Sequence, residues 1–359
     1  MKINQICLKN YRNFEIQTFC FFDGLNVLVG ENGTGKTNVL EAINILSSGR
    51  SNKTTMLTNT IMNTKKESEI NGEFNDENRK ISVKVLISNN NKKVFLDGKI
   101  KNKSSLFFCT IDAVPFSIDD YIKFMGSPAE RRKLFDFLIS KLDLEYLLML
   151  KEYNSLIKEK NNVLKNKMEL INIHINSLLD VIDLKLFDLN RKIYSKRKNF
   201  VETLNHILLQ LHDSGFEATD LYNVCYVSEE KIINDFEEFK SRRMFDLKLL
   251  SSSAGIHKDD FKIIYGNKDI CIYGSQGQIK LALILLKLAY AKIIYRIKGT
   301  SPILLFDDVL GDLDNDKQTT LLKYLNKGWQ AIISTQSIVG LDKEIVEKAH
   351  IIKMKGGKR

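Results

Sequence analysis

The residues best suited to chemistry begin with Gly30-Glu31-Asn32-Gly33-Thr34-Gly35-Lys36-Thr37, a GxxxxGK pattern closed by a threonine. Glycines at these intervals let the backbone curl until successive N–H groups face a phosphate, an approach that side-chain bulk would block. Lys36 can then set a point charge between the β- and γ-phosphates of a nucleotide, and the Thr37 hydroxyl can ligate Mg2+. Context matters more than pattern. Leu25-Asn26-Val27-Leu28-Val29 reads as the delivering strand, and Val39, Ala42, Ile43 and Leu46 follow at helical spacing. Far along the chain, the apolar run Ile303-Leu304-Leu305-Phe306 ends in Asp307-Asp308. Such a pair can hold Mg2+ through Asp307 and polarise an attacking water through Asp308 as general base. Taken alone, it fits equally well two acids capping a buried strand at a solvated turn.

A third element, Gly274-Ser275-Gln276-Gly277-Gln278 ahead of an apolar helix from Ile279, places a hydroxyl and glycine N–H groups at a helix N-terminus. That is a second phosphate-binding surface, although the same residues suit an ordinary N-cap. One loop already covers the β-phosphate, so a second helix start suits a sandwich in which another subunit caps the γ-phosphate. Its position shortly before the acidic strand resembles the order in ATP-binding-cassette ATPases. There the signature serine belongs to the opposite protomer and nucleotide binding becomes dimerisation. Leu310-Gly311-Asp312-Leu313-Asp314 resembles the D-loop of that class, and Ile332-Ile333-Ser334-Thr335-Gln336 occupies its switch strand.

The surrounding pattern must position these groups. Ile81, Val83, Val85 and Ile87 alternate with polar residues as a half-buried strand does, Asn89 to Asn91 supply a turn, and Val94 to Leu96 lead into the hairpin signal Asp97-Gly98. From Ser127 to Ser214 there is no glycine and only Pro128, which predicts long helices. Leu138, Leu142, Tyr146 and Leu150 share helical spacing, as do Leu164, Met168, Ile171 and Ile175. Those helices need be no more than a packed bundle. Toward the C-terminus, Ile303 to Phe306 and Ala331 to Ser334 are apolar strand cores separated by helix, which implies a parallel sheet. The expected fold is α/β: a P-loop ATPase head built from 1–115 and 251–359, interrupted by a helical lobe over 116–250.

At 359 residues, 43% apolar and 27% charged, the composition is that of a globular protein. A formal charge of +10 favours a polyanionic partner by long-range steering, though lysine, asparagine and isoleucine are abundant throughout and codon bias contributes. Cys7, Cys20, Cys109, Cys225 and Cys271 are far apart, which suggests neither a zinc cluster nor a disulfide framework and fits a reducing cytoplasm. Met1 to Phe14 reads as a first strand rather than a secretory signal. Lys287, Lys292 and Arg296 interrupt the apolar stretch Leu281 to Ile297, so it reads as a buried helix and no membrane role is expected.

Several segments in order resemble the RecF family of SMC-like ATPases over nearly the whole chain. Leu8-Lys9-Asn10-Tyr11-Arg12-Asn13-Phe14 is similar to its LxNYRN motif, and Gly126-Ser127-Pro128-Ala129-Glu130-Arg131-Arg132-Lys133 to its GxPxxRR segment. Gly255-Ile256-His257-Lys258-Asp259-Asp260 resembles GPHRDD, and Ser275-Gln276-Gly277-Gln278 through Leu285-Leu286-Lys287-Leu288-Ala289 resembles SQGQ…LKLA. The resemblance implies an SMC-like head without a long coiled coil, slow ATP hydrolysis with Mg2+, and an ATP-dependent homodimer. It further implies binding to duplex DNA near single-strand gaps and partnership with RecR and RecO in loading a recombinase. On this basis Arg12, Asn13, Gly30 to Thr37, Ser275, Gly277, Gln278 and Asp314 are the expected nucleotide contacts. Thr37 and Asp307 are then the Mg2+ ligands, with Lys36 and Asp308 catalytic.

Ile256 and Lys258 depart from the family's proline and arginine, and a lysine cannot reproduce bidentate arginine contacts. Phe116-Ser117-Ile118-Asp119-Asp120 stands where the Q-loop would be, with Ile118 and Asp119 replacing proline and glutamate, which leaves its catalytic residue unassigned. Thr335 stands where transporters carry histidine. The competing classes are a transporter ATPase subunit, a P-loop kinase and an SMC-like DNA-organising head. Even a single helix over the whole helical span would reach only about 130 Å, too short for a long coiled-coil arm.

Overall fold

Strands built on short continuous apolar runs and strands that alternate end up in different sheets. The computed structural model describes residues 1–76, 79–89, 91–101, 110–165, 173–213, 221–309, 311, 313–325, 328–338 and 342–355. Cys109, Met168, Ile171, Ser214, Leu310 and Asp312 lie outside the described residues. The alternating strands pair antiparallel: β1 (Lys2–Tyr11), β2 (Phe14–Cys20), β4 (Glu67–Asp76), β5 (Arg79–Ser88), β6 (Asn91–Leu96) and β7 (Lys99–Ile100), in the order β2-β1-β4-β5-β6-β7. Asp97 and Gly98, with φ of 49° and 75°, make the two-residue turn between β6 and β7. Both left-handed angles match the twist that a tight hairpin needs.

The near-continuously buried strands are β3 (Leu25–Val29), β8 (Ala113–Phe116), β12 (Ile303–Asp307), β13 (Ala331–Thr335) and the less buried β14 (His350–Lys353). They form a parallel sheet in the order β14-β3-β13-β12-β8. A parallel sheet is covered on both faces, which is why its strands carry apolar residues without alternation. Helix Lys36–Ser48 touches both sheets and sends Val39, Ile43 and Leu46 into a core shared with Leu8, Ile70, Phe74, Ile303 and Ile332. Gly72 on β4 makes the close approach possible: a Cβ there would lie 2.4 Å from Leu46 Cδ1.

The chain divides into two units, Met1–Ile122 with Ile207–Asp220 and Ser275–Arg359, and Lys123–His206 with Leu221–Gly274. Both sheets above belong to the first unit. The second contains helices Pro128–Leu142 and Leu144–Lys165 and most of Ile173–Asp213. It also holds a small sheet of β9 (Tyr222–Val227), β10 (Asp260–Tyr265) and β11 (Lys268–Asp269). Residues 251–274, read from sequence as part of the ATPase lobe, fall in the second unit because β10 pairs along its length with β9.

Within this second unit the GxPxxRR and GPHRDD-like segments are bolted to each other. Arg131 donates to both carboxylate oxygens of Asp260, at 2.8 and 2.7 Å, Arg132 donates to the Asp259 carbonyl, and Phe135 stacks on Phe261. Lys258, whose role the sequence leaves open, is exposed. Among the described residues no helix is long and apolar enough to cross a membrane.

Candidate nucleotide-binding site

The order of the parallel sheet puts the chemistry at one edge. β3 feeds the glycine loop, β12 ends at Asp307, and β13 lies between them with Ser334 opposite both Leu28 and Asp307. Ligands of open α/β sheets sit at such carboxyl ends. The loop from Gly30 to Lys36 presents Glu31, Asn32 and Gly33 to solvent while Thr34, Gly35 and Lys36 are buried. Gly35 has φ of 99°, and a Cβ there would lie 2.5 Å from Phe14 Cζ and 2.8 Å from Asn13 Nδ2, so a side chain is excluded twice over. Lys36 Nζ donates to the Gly30 and Glu31 carbonyls at 2.6 and 2.9 Å, and Thr34 Oγ1 donates to the Glu31 carbonyl.

Thr37 and Asp307, 270 residues apart, meet directly: Thr37 Oγ1 donates to Asp307 Oδ1 at 2.8 Å. Ser334 Oγ donates to the same oxygen at 2.9 Å and accepts the Asp308 N–H at 2.9 Å. Burial pushes the Asp307 carboxyl above its ordinary range, while the hydrogen bonds from Thr37 and Ser334 and the charge of Lys53 pull it back. Asp308 takes a left-handed φ of 55°, which aspartate tolerates better than most residues and which the bond from its N–H to Ser334 fixes. A cavity of about 520 Å3 is lined by Thr37, Asp307 and Asp308 together with Ser117, Lys287 and Gln336.

Other expected contacts are placed differently. Asn13 lies on the loop, donating to the Thr34 carbonyl at 3.4 Å and accepting from Asn38 Nδ2 at 2.9 Å. Arg12 instead makes a bidentate pair with the buried Glu41 of helix Lys36–Ser48, at 3.0 and 2.7 Å, and donates to the Asn59 carbonyl. Ser275 and Gln278 form a capping box at the start of helix Gln276–Lys298: Ser275 Oγ accepts the Gln278 N–H at 3.3 Å, and Gln278 Oε1 accepts the Ser275 N–H at 2.8 Å. The space where a Gly277 side chain would stand is open. Asp314 caps helix Asn315–Leu325, accepting the Lys317 N–H and pairing with Lys317 Nζ at 2.6 Å. So Thr37, Asp307 and Asp308 share one cavity, whereas Ser275, Gln278 and Asp314 are engaged at their own helix starts. The sequence reading passed over Ser334 as a site residue. Its signal is a hydroxyl closing an apolar strand between the loop strand and the acidic strand.

The profile of the RecF/RecN/SMC N terminal domain matches residues 2–355. The protein named DNA replication and repair protein RecF from Bacillus cytotoxicus is 31% identical over 99% of this chain and 98% of the relative. Its counterpart from Geobacillus thermodenitrificans is 30% identical over the same shares. The chain belongs to the RecF family. A solved structure of the recombination mediator protein RecF-ATP in the RecFOR pathway superposes with a TM-score of 0.86 at 28% identity, over 99% of this chain and 96% of that one. An Smc head bound to the C-winged helix domain of ScpA matches with a TM-score of 0.55 at 18% identity, over 99% and 95%, which shows a shared fold. The expectation of an ABC/SMC-like α/β ATPase fold is met.

Proposed function

We propose that this chain binds Mg2+ and ATP at the Gly30–Thr37 loop, dimerises through that nucleotide, and clamps DNA until slow hydrolysis releases it. The observation that carries the reading is the Thr37–Asp307 hydrogen bond, which brings the phosphate loop and the acidic strand to one point at the sheet edge. A hydroxyl and a carboxylate are hard oxygen donors and fit Mg2+, which when bound offsets phosphate charge. Lys36, whose Nζ donates to the Gly30 and Glu31 carbonyls, would hold the β- and γ-phosphates, Asn13 braces the loop, and Asp308 would accept the proton of the attacking water. Ser334 holds the Asp308 backbone during that step.

The capped N-terminus at Ser275, with open space at Gly277, suits a γ-phosphate presented by a second copy of the chain. Asp314 stands at another such helix start. The first unit serves as the ATPase lobe and the second as the helical lobe. The DNA target is a duplex near a single-strand gap, and RecR and RecO are the partners, as the RecFOR pathway of the similar structure and the family resemblance suggest. A charge of +10 supports the polyanion. In these roles the protein acts in the cytoplasm, in replication-linked repair and the DNA-damage response.

Retention of a gapped duplex by the parent chain and by Lys36→Met, each with Mg2+ and ATP, tests the proposal. Lys36→Met is expected to lose roughly 100-fold in ATP affinity and to release the duplex, since a charge-assisted contact to phosphate is removed. Equal, ATP-dependent retention by both proteins would rule out this loop as the switch.

A further inference from the structure

Helix Gln276–Lys298 is apolar over its buried length except at Lys287, whose side chain is 2% exposed. A lysine so placed loses its hydration and needs a partner. Its Nζ lies 3.2 Å from Oδ2 of Asp120, in the first turn of helix Ile118–Met125. The Asp120 N–H in turn donates to the Ser117 carbonyl at 3.1 Å, so the ion pair fixes the turn that follows β8. β8 runs parallel to β12 with Phe116 opposite Phe306, which sets Ser117 beside Asp307 at the sheet edge. Ser117 Oγ is buried without a hydrogen-bond partner among the described residues, and Ser117, Thr37 and Asp307 line the same two cavities. A buried hydroxyl left unpaired carries a desolvation penalty that a metal-bound water or a ligand oxygen relieves.

We infer that Lys287 and Asp120 are a positioning pair for the ATPase site, holding the Ser117 hydroxyl beside Thr37 and Asp307 as a further oxygen facing Mg2+. The inference rests on the reading of that site as one for Mg2+ and ATP. It gives the segment Phe116–Asp120 a task that its sequence leaves unassigned: Ser117 supplies the polar atom, and Asp120 ties the turn to the helix that begins at Ser275.

The test is a Mg2+ titration of ATPγS binding to the full chain, followed by calorimetry, with melting temperature recorded for each variant. Ser117→Ala should melt like the parent yet need roughly 10-fold more Mg2+ for half-saturation, the size of loss seen when groups that orient metal ligands are removed. Lys287→Met with Asp120→Leu removes both charges together, which buried pairs tolerate better than loss of one partner. That double variant should show the same Mg2+ shift, and adding Ser117→Ala to it should produce no further shift, because all three act through one hydroxyl. Parental Mg2+ dependence in Ser117→Ala, or in the double variant, overturns the inference and leaves the site reading standing. A parent chain that binds no nucleotide in the presence of Mg2+ overturns both.

Discussion

The buried network of the second unit and the nucleotide edge of the first use carboxylates in opposite ways. In the second unit Arg197 is 1% exposed and saturated: it donates to both oxygens of Asp136, to Asp259 at 3.1 Å and to the Ile256 carbonyl at 2.8 Å, with the ring of Phe261 at 5.7 Å. Lys160, 2% exposed, is held between Asp183 and Asp246. In the first unit Asp307 is held by hydroxyls rather than by a cation, and Asp308 borders an open cavity. Charges that cancel one another hold a fold; carboxylates held by neutral donors at the rim of a cavity remain without a cationic partner and open to a ligand. The segment resembling GPHRDD belongs to the first kind, since His257, Asp259 and Asp260 all find partners inside the second unit.

The sharpest way to break this contrast is Arg197→Met. It leaves the buried Asp259 and the half-buried Asp136 without the guanidinium between them and should cost about 3–5 kcal/mol in urea unfolding of the second unit. A cost under about 1 kcal/mol would show that the network relaxes easily and that the contrast is overstated.

Next in size is a pH effect at His257. Its Nε2 faces the Ser252 carbonyl at 3.1 Å and must donate there, so Nδ1 accepts from the Tyr153 hydroxyl at 2.7 Å and the ring is neutral. Burial lowers its pKa to about 4, with the charges of Lys258 and Arg132 acting in the same direction. The unfolded chain takes up this proton near pH 6.5, so stability should fall by on the order of 3 kcal/mol between about pH 6.5 and pH 4. His257→Gln should flatten that slope relative to the parent in melting curves across the window; an unchanged slope would move the titration elsewhere.

The smallest expected effect belongs to the first unit. Ser334→Ala removes one donor to Asp307 and the acceptor of the Asp308 N–H, and should destabilise the chain by only about 1–2 kcal/mol. Turnover should fall by more than that loss of stability explains, because the left-handed Asp308 loses its anchor. Unchanged turnover would make Ser334 a packing residue like those of the second unit.

Sequence exposed the nucleotide edge and concealed the buried network for physical reasons. Glycines in the loop, Asp307-Asp308 after an apolar strand, and the alternation Ile81 to Ile87 are local patterns, and each forms the element it predicts. Asp97-Gly98 makes its hairpin, and the glycine-free stretch makes helices Pro128–Leu142, Leu144–Lys165 and Ile173–Asp213. By contrast, Lys160, Asp183 and Asp246 meet from distant positions, and nothing in their neighbourhoods separates them from solvated charges until the chain is folded. Arg12 has the same character. It stands in a recognisable motif, yet its partner Glu41 is set by how β1 lies against the helix after the phosphate loop. Lys287 differs, because it is the one charge in the apolar run from Leu281 to Ala291 and so carries a visible signal.

The most direct test of the nucleotide clamp is the molar mass of Asp308→Asn in solution, with and without Mg2+ and ATP, and then with a gapped duplex. Removing the base should slow hydrolysis and leave binding intact. A shift from monomer to dimer that needs ATP and retains the duplex is the predicted result. A monomer under every condition, with ATP bound, would contradict the clamp.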